Sequence, residues 1–220
     1  MIHRIELFAV TPTADPALVE RLEAALLGAP QHTTAERVRL GRSQTQRHGW
    51  THVWEQDYAD GTALEAYMKA AHHWTVLDPF FDATNPDAVV DRVTVAAYES
   101  ESAASGGDVD GDADSGLRRI LIARVGEEHG SGGVSAVCAA IRAAAPRLPL
   151  QGWRVAPLLP HRHGWSLVWE QTFAGEAALA EYMRHPAHWA GVDPLFDAEN
   201  PAVMVTETTM AWYQLPGVTR

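Results

Sequence analysis

Two short runs hold residue types able to move a proton. One is Tyr182-Met183-Arg184-His185-Pro186-Ala187-His188-Trp189; the other is Tyr67-Met68-Lys69-Ala70-Ala71-His72-His73-Trp74. Both set a tyrosine six residues before a histidine, in the order helix, break, histidine. Histidine titrates near neutrality, so it can accept and return a proton at physiological pH. The same residues also have structural uses. A helix tyrosine can bury its ring and satisfy its hydroxyl, and a histidine can cap a helix end. Spacing alone leaves both readings open.

The runs occupy matching places in an internal duplication. His48–Tyr98 aligns without gaps onto His163–Tyr213, with about half the positions identical. The same offset carries Arg4-Ile5 onto Arg119-Ile120, Val10 onto Val125 and Val19 onto Val134. The expected organisation is one unit over residues 1–100, a linker over 101–116, a second unit over 117–215 and a tail over 216–220.

Within the first unit, Arg4–Val10 is rich in β-formers and predicts a strand. Asp15-Pro16 signals a helix start, and Leu18, Val19, Leu22 and Leu26 keep one face apolar. Glu36–Arg42 and Trp50–Tyr58 predict two more strands. In the latter, Trp50, His52, Trp54, Gln56 and Tyr58 share one face. Ala63, Leu64, Tyr67 and Met68 follow at helical spacing, and Val89–Tyr98 closes the unit as a strand. The order is β-α-β-β-α-β. The expected fold class is therefore α+β: two ferredoxin-like units whose antiparallel sheets pack face to face as a dimeric α+β barrel within one chain. Because helices cover only one face of such a sheet, the tryptophan face is expected to meet the other copy.

The formal charge of −11 disfavours nucleic acid and anionic membrane as partners. No apolar run reaches membrane-spanning length, and no secretory leader is visible at the start, so a cytoplasmic protein is expected. Cys138 is the single cysteine; its apolar surroundings suggest a buried hydrophobe. Residues 100–116 are acidic and rich in Gly and Ser, a linker composition. Asp108, Asp110 and Asp112 alternate as in a calcium loop. The glutamate such a loop requires at its twelfth position is missing, with Arg119 or Leu121 there instead. Gly130-Ser131-Gly132-Gly133 resembles a dinucleotide loop but lacks the later acidic residue, so it reads as a helix start. His161, His163, His185 and His188 cluster in one copy, and His48, His52, His72 and His73 in the other. No Cys-x-x-Cys or His-Glu-x-x-His frames them, and no metal or other cofactor is expected.

The Tyr-x-x-His-Pro-x-His run, placed after a Gly-aromatic strand and before a closing strand, resembles the stress-responsive α/β-barrel (Dabb) family of the dimeric α+β barrel superfamily. The likeness extends over both copies. The first copy departs from the pattern at Ala70 and Ala71, where His-Pro is usual. The resemblance implies a cofactor-free enzyme, a cyclase-like acid–base catalyst that closes a polyketide-like chain by aldol chemistry. It implies His188 and Tyr182, and His73 and Tyr67, as catalytic pairs: a histidine base and a tyrosine that hydrogen-bonds the developing enolate oxygen. It also implies a substrate-contacting His52, for which the second copy has Leu167. Trp54, Gln56, Trp169, Gln171 and His185 are expected at the substrate, a small hydrophobic or aromatic molecule. Alternatives are a binding or stress-related barrel without turnover, its tryptophans filling the pocket, and a cofactor-independent monooxygenase. The chain is expected to be a monomer.

Overall fold

The computed structural model describes residues 1–45, 47–109 and 116–215; nothing is described of the side chain of Ser131. The chain divides into two compact units, Met1–Glu101 and Ser102–Arg220.

The first unit runs β1 (Ile2–Val10), α1 (Pro16–Leu27), β2 (Arg37–Arg42), β3 (His52–Tyr58), α2 (Gly61–Lys69) and β4 (Val90–Glu99). The strands lie in the order β2-β3-β1-β4, each antiparallel to its neighbours. This is the ferredoxin-like arrangement that the element order predicts. Helix starts follow the local chemistry. The Asp15 carboxylate accepts from Ala17 N (2.9 Å) with Pro16 opening α1, and Asp60 accepts from Ala63 N (2.9 Å) at the start of α2. A single π-helical turn, His73–Leu77, follows α2.

The second unit adds one strand: β5 (Ala104–Gly107), β6 (Gly116–Val125), α3 (Gly130–Ala144), β7 (Gly152–Pro157), β8 (Leu167–Phe173), α4 (Glu176–Tyr182), α5 (Pro186–Gly191) and β9 (Val205–Leu215). Its sheet order is β5-β7-β8-β6-β9. Part of the stretch read as linker is thus structured, for Ala104–Gly107 pairs with the edge of β7. Asp110, Asp112 and Asp114, and the expected tail 216–220, lie outside the described residues. The glycine-rich run at 130–133 opens α3, as a helix start should.

One expectation is corrected by the packing. Period two groups His52, Trp54, Gln56 and Tyr58 correctly, but their face lies under the unit's own helices. The Trp54 ring meets Tyr67 of α2 edge-on at 6.4 Å, and the Trp169 ring meets Tyr182 of α4 at 6.2 Å. His52 bonds Glu23 of α1 (Nε2 to Oε1, 2.9 Å). The opposite face of the first sheet holds the His3–Asp57 and Arg37–Asp57 pairs, both at 2.5 Å. That of the second holds Arg118 and Arg154 on Glu170. Both faces mix polar and apolar residues, so alternation alone does not say which one the helices cover.

Candidate functional site

In the second unit the site forms where β6 and β8 meet α4 and α5. Strand register sets Arg119 opposite Gln171 and Leu121 opposite Trp169. Arg119 Nη1 donates to Gln171 Oε1 at 2.8 Å, and its Nη2 reaches Met210 Sδ at 3.3 Å. The guanidinium lies 5.6 Å from the centre of the Tyr182 ring. Tyr182 ends α4, and its ring meets His188 edge-on at 4.6 Å and Phe173 at 5.5 Å. His188 comes from α5, a short helix that Pro186 opens after the break. The interruption that the sequence shows between tyrosine and histidine is what folds the histidine back over the tyrosine.

Three buried nitrogens here make no hydrogen bond: Trp169 Nε1, Gln171 Nε2 and His188 Nδ1. Buried polar groups are nearly always paired, with protein, water or a ligand, so these nitrogens are the groups a polar guest would meet.

The first unit repeats the arrangement with different charges. Arg4 lies 5.7 Å from the Tyr67 ring centre, and Tyr67 meets His73 at 4.9 Å. Here Arg4 Nη1 donates to Glu6 and to Gln56 Oε1 (3.0 Å), and Gln56 Nε2 donates to Glu6 (3.1 Å). The Tyr58 hydroxyl donates to Gln56 Oε1 at 2.5 Å. Trp54 Nε1 and His73 Nδ1 remain unpartnered.

The electrostatics suit proton transfer. Burial pushes the Tyr182 hydroxyl above the ordinary tyrosine range, while Arg119 and Gln171 beside it favour the ionised form. Burial and then the Arg119 charge hold His188 below the ordinary histidine value, so its imidazole is neutral at pH 7. Tyr67 is raised by burial and by Glu6; His73 is lowered by burial and then by Arg4.

The structure therefore brings Tyr182, His188, Trp169 and Gln171 together, and likewise Tyr67, His73, Trp54 and Gln56. His52 and His185 stand apart in what they do. His52 is buried, stacked on Phe8 at 4.7 Å and held between Thr51 and Glu23. His185 caps α5, its Nδ1 accepting from Ala187 N at 3.2 Å. Arg4, Glu6 and Arg119 were not expected at the site. The signal was present: an arginine recurs at the same strand position in both copies, Arg4 and Arg119. Among the described residues, no three His, Cys, Asp or Glu side chains gather as metal ligands. No helix among them is long and apolar enough to cross a membrane.

No protein-family model matches the chain, and no curated protein matches it in sequence. Solved structures do match in fold. A provisionally assigned monooxygenase from Fusobacterium nucleatum superposes with a TM-score of 0.64 at 10% identity, over 97% of this chain and 91% of that one. An anthrone oxidase-like protein gives 0.63 at 12% identity, over 97% and 90%. A provisionally assigned monooxygenase from Lactobacillus acidophilus gives 0.57 at 9%, over 96% and 92%. The chain shares its α+β fold with these structures, and at these identities the likeness speaks for the fold alone.

Proposed function

We propose that the chain is a cofactor-free small-molecule enzyme of the cyclase-like, acid–base kind. It removes a proton next to a carbonyl of an apolar or aromatic substrate and returns one later. The observation that carries this reading is the Tyr182–His188 contact beside Arg119, with His188 Nδ1 buried and unpartnered. A neutral imidazole takes the proton. The Tyr182 hydroxyl and the Arg119 guanidinium donate to the oxygen on which charge develops. Tyr67, His73 and Arg4 offer the same set in the first unit. Trp54 and Trp169 supply apolar ring surface around the reacting carbon. The chain acts as a monomer, one unit standing for each subunit of a dimer. A cytoplasmic setting fits its single thiol, Cys138, which burial pushes up to about 11.

Anthrone in deuterated buffer tests the reading, because its methylene protons are acidified through the aromatic rings by the carbonyl across from them, so that charge develops on that oxygen, and their exchange is visible by NMR. Exchange above the buffer rate should appear without oxygen. His188→Gln combined with His73→Gln should slow it by roughly a hundredfold or more, the usual worth of a general base. Exchange that survives unchanged in both His188→Gln and His73→Gln refutes the assignment. Tryptophan quenching by anthrone without exchange would identify a binding protein instead.

A monooxygenase is the second reading, favoured by the names carried by three of the matching structures. It uses the same base. Under air, anthrone and one O2 would give anthraquinone and water, with oxygen uptake abolished when His188→Gln and His73→Gln are combined.

A further inference from the structure

The two copies differ most where their likeness is otherwise closest, around the buried arginine. In the first unit Glu6 completes the cluster. Its carboxylate takes hydrogen bonds from Arg4 Nη1 and from Gln56 Nε2. In the second unit Arg119 and Gln171 hold the same strand positions, but Leu121 replaces Glu6, pairing across the sheet with Trp169 as Glu6 pairs with Trp54. Phe173 also replaces Tyr58.

The donors survive the change and their acceptor does not. Gln171 is 0% exposed, yet its Nε2 bonds nothing. Arg119 is 6% exposed, and its polar neighbours are an amide oxygen, a thioether sulfur and the Tyr182 hydroxyl, none of them charged. Among the described residues no carboxylate lies within ion-pair distance of it. A buried guanidinium without an anion and a buried amide donor without an acceptor are both costly. Both are satisfied at once by one acceptor-only, negatively charged group with two oxygens. Glu6 shows that a carboxylate meets this pair of donors, since it does so in the sister site.

We infer that the second unit binds the carboxylate of an anionic guest between Arg119 and Gln171, and that Glu6 already holds the equivalent place in the first unit. The inference rests on the proposed function for the location of the site, not for its chemistry. The guest's apolar body would lie toward Tyr182 and Trp169, so the class is an aryl or otherwise apolar carboxylic acid. One chain then offers one anion site, not two.

The test is calorimetric titration of the full chain with sodium benzoate, and with benzamide as the neutral counterpart. One benzoate should bind per chain, preferred over benzamide by about tenfold or more, as a charge-assisted bond is over a neutral one. Leu121→Glu should abolish benzoate binding, and Glu6→Leu should raise the stoichiometry to two. Should Leu121→Glu fail to fold, Arg119→Gln should erase the preference for benzoate. Equal binding of the two probes by the native chain overturns the inference. So does the absence of benzoate binding at tens of millimolar, and so does full-strength benzoate binding in a folded Leu121→Glu or Arg119→Gln chain. If anthrone exchange fails while benzoate behaves as expected, the acid–base reading falls and the anion site stands. If exchange proceeds while benzoate and benzamide bind alike, only the anion site falls.

Discussion

His188 and His52 show how one residue type is put to two ends by its surroundings. Burial and the neighbouring Arg119 both keep His188 from protonating. A base that resists protonation stays available in mild acid, so the anthrone exchange rate should hold as pH falls through 6.5 and decline only below it. A rate already halved at 6.5 would show that His188 is not the group that titrates. His52 is also lowered, by burial first, although Glu23 opposes this. The unfolded chain takes up a proton on this histidine near 6.5 while the folded one resists, so its contribution is intact above that pH and is lost on acidification. The second copy has Leu167 at the same position. His52→Leu should therefore reduce the drop in melting temperature between pH ~7.5 and ~5.5 relative to the native chain. An unchanged drop would mean that the imidazole carries no such linkage. The pairing of Tyr182 with His188 was legible in the sequence because helix, break and histidine fix their approach. Arg119 was not, since a charged residue on a strand ordinarily reads as facing water; only its fixed relation to Gln171 across the ladder shows otherwise.

At the scale of elements, the copies take different routes after the tyrosine helix. Pro186 restarts the second as a regular turn of α5, with His185 as its cap. The first has Ala70 and Ala71 there and passes into a π-helical turn. Both deliver a histidine to the tyrosine ring, at 4.6 and 4.9 Å. The strand and helix order was readable from periodicity, and Asp15-Pro16 from capping chemistry. What escaped was β5. A run of Ala, Ser and Gly has no apolar alternation, and its pairing is set by close backbone approach to β7. Gly107 has φ of +65°, and a Cβ there would sit 2.1 Å from Gln151 O. Gly107→Ala should cost ~1–3 kcal/mol in urea denaturation and speed amide exchange across Ala104–Gly107. Unaltered exchange in that strand would show the edge to be independent of this turn.

For the whole molecule, the monomer proposed above makes a prediction about mass. Sedimentation at micromolar concentration should give one species near 24.0 kDa; a stable species of twice that mass would refute the monomer. The folds of the units were legible because two copies of one pattern report each other's errors. The side of each sheet that the helices cover was not, because Trp54 and Trp169 suit a buried face of either kind. The presence of Glu6 in one half and Leu121 in the other has a practical corollary. Fluorine-labelled Trp54 and Trp169 occupy matched seats in a single polypeptide, one across the ladder from Glu6 and the other from Leu121. A titration would then move one resonance and leave its twin still, giving every spectrum its own reference standard.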